Sequence, residues 1–218
     1  MPLPVKILLQ PRKLPVQARS AASVQAILEA TIQVLLSAGR ARLTTARVAS
    51  RAGVSVGTLY QYFPNKSALL QAALKFHMDE VAVAVERTCR QQHGNELQQM
   101  AAALITAFFE AKMKDPKASL ALYSISSDLD TASIVKETNS RANVAILAML
   151  KTASEPIGID FQIVCDILQG AMAGIGRRLL EGPAPEQRLE SLRRELIRMV
   201  GGYLSSCCAR SPSFAAER

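Results

Sequence analysis

The segment Thr44–Lys66, TTARVASRAGVSVGTLYQYFPNK, leaves this chain little choice of local structure. Thr44 can cap a helix start, because its hydroxyl accepts a bond from an otherwise unpaired backbone N–H. Val48, Ala49 and Ala52 then recur at helical spacing, and Gly53 supplies the positive-φ geometry that ends a helix. Val54 plugs the turn, and Ser55 caps a second helix running through Tyr60. Two short helices around a tight glycine turn form a helix-turn-helix, whose second helix is built to enter the major groove of DNA.

The side chains of that second helix suit the task. Ser55, Thr58, Tyr60 and Gln61 offer hydroxyl or amide groups to phosphates and base edges, and Leu59 anchors the helix to a core. Gly57 stands where glycine costs about 1 kcal/mol against alanine, which makes sense where another backbone must approach closely. Lys66 falls in the first turn of the next helix, after Pro64 and Asn65. The helix dipole disfavours a cation there unless a phosphate binds at the same end.

With these residues in place, the block resembles the N-terminal domain of TetR/AcrR-type transcriptional regulators, whose pattern runs roughly A-G-V-S-x-G-T-L-Y-x-Y/H-F-x-x-K. AGVSVGTLYQYFPNK matches it at Ala52 to Ser55, Gly57 to Tyr60, Tyr62, Phe63 and Lys66. Ala26 to Ala30 and Gly39 resemble the family's first helix and the turn after it, so the likeness covers about residues 20–75. Arg40 stands where an aromatic often follows the glycine, and Val56 where a polar or basic residue is common. The resemblance implies DNA contacts from Thr44, Thr45, Ser55, Val56, Gly57, Thr58, Tyr60, Gln61, Tyr62 and Lys66.

Charge points the same way independently. Residues 1–75 hold ten Lys or Arg and one acid, Glu29, whereas residues 76–218 hold sixteen against seventeen acids. The surplus of +8 therefore lies in the first third of the chain, the footprint of a polyanion-binding domain. Residues 1–19, with four prolines and Lys6, Arg12, Lys13 and Arg19, read as a disordered basic arm; contact with phosphates or the minor groove is the alternative. No apolar run reaches the roughly eighteen residues of a membrane span. The Pro-rich start does not resemble a secretory signal, so a cytoplasmic location without membrane contact is expected.

An apolar content of 49% with 5% aromatic residues and no Trp requires a core of Ala, Leu, Ile and Val, the composition of packed helices. The expected fold is all-α: an arm at 1–19, a three-helix helix-turn-helix domain at 20–75, and a helical ligand-binding and dimerisation domain at 76–218. Val24, Ile27, Leu28, Ile32 and Leu35 mark a first helix ending before Gly39, and a long fourth helix runs from about Asn65 to Arg90. Further helices are expected near 95–114, 116–124, 128–152, 159–181 and 186–206, broken at His93-Gly94, Asp115-Pro116, Ser126-Ser127, Pro156 with Gly158, and Gly182-Pro183.

Small residues at Gly170, Ala171, Ala173, Gly174 and Gly176, followed by Leu189, Leu192, Leu196, Ile197, Met199 and Val200, fit an interface between two copies. The family resemblance implies a homodimer through the helices at 159–181 and 186–206, as a palindromic operator requires. It also implies a small-molecule effector, for which Met100, Phe108, Phe109, Met113, Tyr123, Met149 and Phe161 are the candidate lining, with ordinary core packing as the alternative. The expected activity is that of a ligand-responsive repressor; an architectural or nonspecific DNA-binding protein is the alternative.

Cys89 and His93 lie four apart, but two ligands do not close a zinc site, which takes three or four. Cys165, Cys207 and Cys208 show no zinc-type spacing. Neither a metal nor a cofactor is expected. His77, on an otherwise apolar stretch, reads as a satisfied structural residue or a polar pocket contact. With two His, no G-x-S-x-G elbow and no P-loop, an enzyme is not expected.

Overall fold

The computed structural model describes residues 18–126, 131–156, 158–182 and 185–208. The described elements are helices: α1 (Ala18–Arg42), α2 (Thr45–Ala52), α3 (Val56–Tyr62), α4 (Lys66–Gln91), α5 (Leu97–Lys112), α6 (Pro116–Ser126), α7 (Ala132–Leu150), α8 (Phe161–Glu181) and α9 (Pro185–Cys207). The basic arm expected before Ser20 lies outside the described residues, apart from the backbone of Ala18 and Arg19. Two compact units divide the chain: residues up to Asp79 with Lys117–Val135, and Glu80–Pro116 with Lys136 onward.

In the first unit, α1 buries Ile27, Leu28, Ala30, Thr31, Val34 and Leu35, a stripe at helical spacing. The Thr31 hydroxyl is satisfied in that apolar face by donating to the Ile27 carbonyl at 2.7 Å. Gly39, at φ 73 and ψ 166, interrupts the helix, and the chain tightens again through Arg42 so that Leu43 can be buried. Ser20–Arg42 contains an 18-residue window long and apolar enough by composition to cross a membrane, with mean hydropathy 1.4. Gln25, Glu29 and Gln33 interrupt it, and its apolar stripe packs in the unit's core.

That core joins Leu59, Phe63, Leu69, Leu70, Ala73 and Leu74 to the α1 stripe and also takes in Leu122, with Ala121, Ile134 and Val135 packed against it. Ala121 and Leu122 of α6 and Ile134 and Val135 of α7 thus pack with the helix-turn-helix, whereas the sequence groups them with the C-terminal helices. His77 and Ser119, both buried, share a 2.8 Å hydrogen bond in this unit.

The second unit is built around α5, which buries Leu97, Met100, Ala101, Leu104, Ile105, Phe109 and Lys112. Val85, Ile146, Met149, Val164, Leu168, Met172, Leu196, Val200 and Leu204 complete the core. The Lys112 ammonium lies 5.7 Å from the centroid of the Phe108 ring, within cation–π range. Its aliphatic stem runs over Gly176, where a Cβ would come within 3.1 Å of Cε.

Candidate nucleic-acid interface

Local hydrogen bonds fix the ends of α2 and α3 as the sequence leads one to expect. The Thr44 hydroxyl accepts from the Arg47 N–H at 3.3 Å, and the Ser55 hydroxyl from the Thr58 N–H at 3.0 Å. Gly53 adopts φ 69 and ψ 27, which lets its own N–H reach the Ser50 carbonyl and the Val54 N–H the Ala49 carbonyl. Val48 and Ala49 of α2 and Leu59 of α3 are buried, so both helices are pinned from beneath. The Thr45 hydroxyl and the Tyr60 phenol meet at 3.0 Å and join the two helices at the surface.

With Leu59 inward, α3 turns Val56, Gly57, Tyr60 and Gln61 to solvent along one stripe. Val56 is 39% and Tyr60 43% exposed, values high enough that neither serves this unit's core. A Cβ at Gly57 would meet only the Ser55 hydroxyl, at 3.7 Å, so nothing in the chain itself demands glycine there. Thr44 and Ser55 are exposed at the starts of their helices, while Thr45, Thr58 and Tyr62 are half-buried at the edges. The Tyr62 ring leans on Phe63 with centroids 6.4 Å apart.

Lys66 begins α4, as expected, and its ammonium donates to the Arg40 carbonyl at 2.7 Å. Its charge therefore rests against the end of α1 even without an anion, a partner the sequence does not reveal. Asn65 caps α4 by accepting from the Ala68 N–H at 2.8 Å. Arg42, Arg47 and Arg51 are also exposed in this unit, outside the set of residues expected to meet DNA. Their signal was the concentration of positive charge in residues 1–75.

Of the residues named for an effector, Met100, Phe109 and Met149 have no exposed surface, and Phe108, Met113 and Phe161 pack against them in one cluster. Tyr123 belongs to the other compact unit, where it is 37% exposed. An open cleft of about 440 Å³ in the second unit is lined instead by Glu86, Cys89, Arg90, His93, Ser140, Arg141, Val144, Ala145 and Ala148. Arg141 is tied to Glu86 at 2.9 Å on its rim.

Burial, followed by the neighbouring Cys165, pushes the Cys89 thiol up to about 12. Burial raises Cys165 as well. Among the described residues no three His, Cys, Asp or Glu side chains cluster as metal ligands. On α8 and α9, Ile163, Ile167 and Met199 are exposed at 51%, 43% and 56%. The absent Cβ atoms of Gly170, Gly174 and Gly202 would meet nothing within 4 Å.

Comparison with known proteins agrees with this geometry. Residues 27–73 match the family described as bacterial regulatory proteins, tetR family. Residues 96–204, half of the chain, match the tetracyclin repressor-like C-terminal domain. The nucleoid occlusion factor SlmA of Photobacterium profundum is 37% identical over 62 residues, 28% of this chain and 32% of that protein. The HTH-type transcriptional repressor KstR of Mycolicibacterium smegmatis is 39% identical over 61 residues, 28% of this chain and 30% of that protein. The chain thus spans about a third of the length of these curated relatives. A solved structure described as a TetR-family transcriptional regulator from Mesorhizobium loti shares the fold, with a TM-score of 0.71 at 18% identity over 87% of this chain and 98% of that one.

Proposed function

The chain belongs to the tetR family of bacterial regulatory proteins; it is a DNA-binding transcriptional regulator rather than an enzyme, and from that premise we propose that it is an effector-controlled repressor. It binds an inverted-repeat operator as a homodimer and leaves it when a small apolar or amphipathic molecule binds the second unit. It acts in the cytoplasm, where the chromosomal operator lies.

The observation that carries this reading is the stripe of Val56, Gly57, Tyr60 and Gln61, turned to solvent by a helix whose single buried anchor is Leu59. Tyr60 and Gln61 read base edges, while Val56 supplies an apolar contact. Gly57 lets the helix backbone come close to the duplex. Thr44, Thr45, Ser55, Thr58, Tyr62 and Lys66 hold phosphates around it and set the register.

Dimerisation through α8 and α9 is supported by Ile163, Ile167 and Met199, three large apolar side chains left in water beside glycines that permit close helix approach. Two copies then present recognition helices to successive major grooves, about 34 Å apart. An effector is supported by the cleft between α4 and α7, whose volume of about 440 Å³ falls within the range of small-molecule sites. Cys89, Val144, Ala145 and Ala148 offer an apolar floor, and Arg90 and His93 a polar mouth. An effector reaching deeper, to Met100, Phe108, Phe109, Met113, Met149 and Phe161, would have to displace packed core. Since α4 extends from Lys66 to Gln91 and crosses the boundary at Asp79, an effector bound against it can bias the spacing of the recognition helices.

Selection of bound fragments from random duplex DNA at near-physiological salt tests the proposal. Recovery of an inverted repeat is the expected result. The likeness to SlmA, a nucleoid occlusion factor, favours a second reading in which DNA is bound for its place on the nucleoid rather than for control of a gene. Recovery of no consensus, with affinity collapsing as salt rises, would favour a sequence-tolerant version of that role.

A further inference from the structure

The cleft between α4 and α7 lies wholly within the second unit. Glu86, Cys89, Arg90 and His93 line it from the α4 side, a run about 10 Å long at the rise of a helix. Its two ends differ in charge. At one, Arg141 of α7 grips Glu86, with Nε at 3.0 Å and Nη2 at 2.9 Å from the same carboxylate oxygen. At the other, Arg90 and His93 are exposed, and neither makes a hydrogen bond or an ion pair among the described residues.

Charge in the cleft therefore does not cancel. Two arginines against one glutamate leave the lining at +1 with His93 neutral. The floor adds no anion, because burial pushes the Cys89 thiol up to about 12, a rise that the neighbouring Arg90 only partly offsets. Helix C-termini carry partial negative charge, but the carbonyls there are already engaged. The Gln92 N–H donates to the Thr88 and Cys89 carbonyls at 3.0 and 3.3 Å, and the Thr152 hydroxyl to the Met149 carbonyl at 2.7 Å.

Between the two ends the lining is apolar. Val144 is 66% exposed, and Ala145 and Ala148 continue its face of α7 at helical spacing. A molecule complementary to this arrangement has a narrow apolar body and one anionic end. A cation would meet Arg90, since Glu86 is already held by Arg141. A neutral molecule gains only apolar burial. A carboxylate takes two parallel bonds from the planar guanidinium of Arg90, whose five N–H donors the fold leaves unspent.

We infer that the cleft selects amphipathic monocarboxylates, with the carboxylate on Arg90 and His93 and the apolar body along Val144, Ala145 and Ala148. The inference rests on the reading of this cleft as the effector site. It narrows that reading from any apolar or amphipathic molecule to one carrying a single negative charge, which the net charge of the lining matches.

The test is calorimetric titration of the full chain, without DNA, with octanoate, octanol and octylamine. Octanoate should bind about tenfold tighter than octanol, and octylamine weakest. R90Q should bring octanoate down to the level of octanol. R87Q, at an exposed arginine of α4 outside the lining, should leave the preference intact. A148W, at an exposed position of the lining, should weaken octanoate and octanol alike. Octanoate bound no better than octanol by the parent, including no binding at all, overturns the inference. So does an equal loss in R87Q and R90Q, which marks a general attraction of anions, or unchanged binding in A148W, which places the ligand elsewhere. Release of the recovered inverted repeat is measured separately. Octanoate held through Arg90 with no change in operator affinity would sink the effector reading and leave the carboxylate selectivity standing. Release by octanol or octylamine, equally in the parent and R90Q, would overturn the selectivity while keeping control by an effector. Melting curves of the three variants confirm that the fold is retained.

Discussion

At Gly57 a methyl group would touch nothing in the chain nearer than the Ser55 hydroxyl. Gly57→Ala should therefore stabilise the folded chain by about 0.5–1 kcal/mol, visible as a higher Tm, while weakening DNA binding. Gly57→Leu should abolish it. Parental affinity in both variants would mean that close approach of DNA is not the reason for the glycine. Lys66 has two jobs to separate, because it ties α4 to the Arg40 carbonyl and carries a charge. Lys66→Ala should weaken binding to every sequence and reduce the salt slope by about one unit; Lys66→Arg should restore the slope. Cys89 and Cys165 are buried thiols, Cys89 held protonated up to about 12. At pH 8, alkylation followed by mass spectrometry should label Cys208 and spare both until the chain unfolds. Because burial raises the folded value of Cys89 above the ordinary 9.0, its protonated state favours folding fully below pH 9. That contribution is lost as pH rises toward 12.

At the scale of elements, the turn between α2 and α3 depends on a left-handed residue. Gly53→Ala should cost about 1 kcal/mol and lower the Tm, with DNA affinity falling through the displaced α3; an unchanged Tm would show that the turn relaxes to another form. The helices themselves were legible because their signals are local. Thr44, Gly53, Ser55, Asn65 and Pro116 mark ends that the structure places within a residue or two of the expected positions. Gly39 ends the regular part of α1 as its sequence position suggested. The destination of α6 was not legible. Its Leu122 looks like any apolar helix residue, and only long-range packing against the core of Ile27, Leu59 and Leu74 assigns it to the first unit.

For the whole molecule, the exposed faces of α8 and α9 make the assembly testable. Ile163→Arg with Met199→Arg introduces like charges where two copies would meet, on positions that are solvent-facing within one chain. The variant should sediment as a monomer with its helicity unchanged, and should lose the inverted repeat while retaining weak, salt-sensitive binding to single half-sites. A dimer in that variant would place the interface elsewhere.

The helices, the inward anchor of α3 at Leu59 and the confinement of positive charge to the first third are legible along the chain, since caps, periodicity and charge counts are local or additive properties. Tertiary structure alone decided three further things. It packed Leu122, Ile134 and Val135 with the helix-turn-helix, and it joined six of the seven residues named for an effector in one core cluster while leaving Tyr123 in the other unit. It also seated Arg47, Arg51 and Lys66 on neutral oxygens. Each of these depends on which side chains from separate helices meet, and a repeating pattern along one helix records only that a face is apolar or charged, not what it will face.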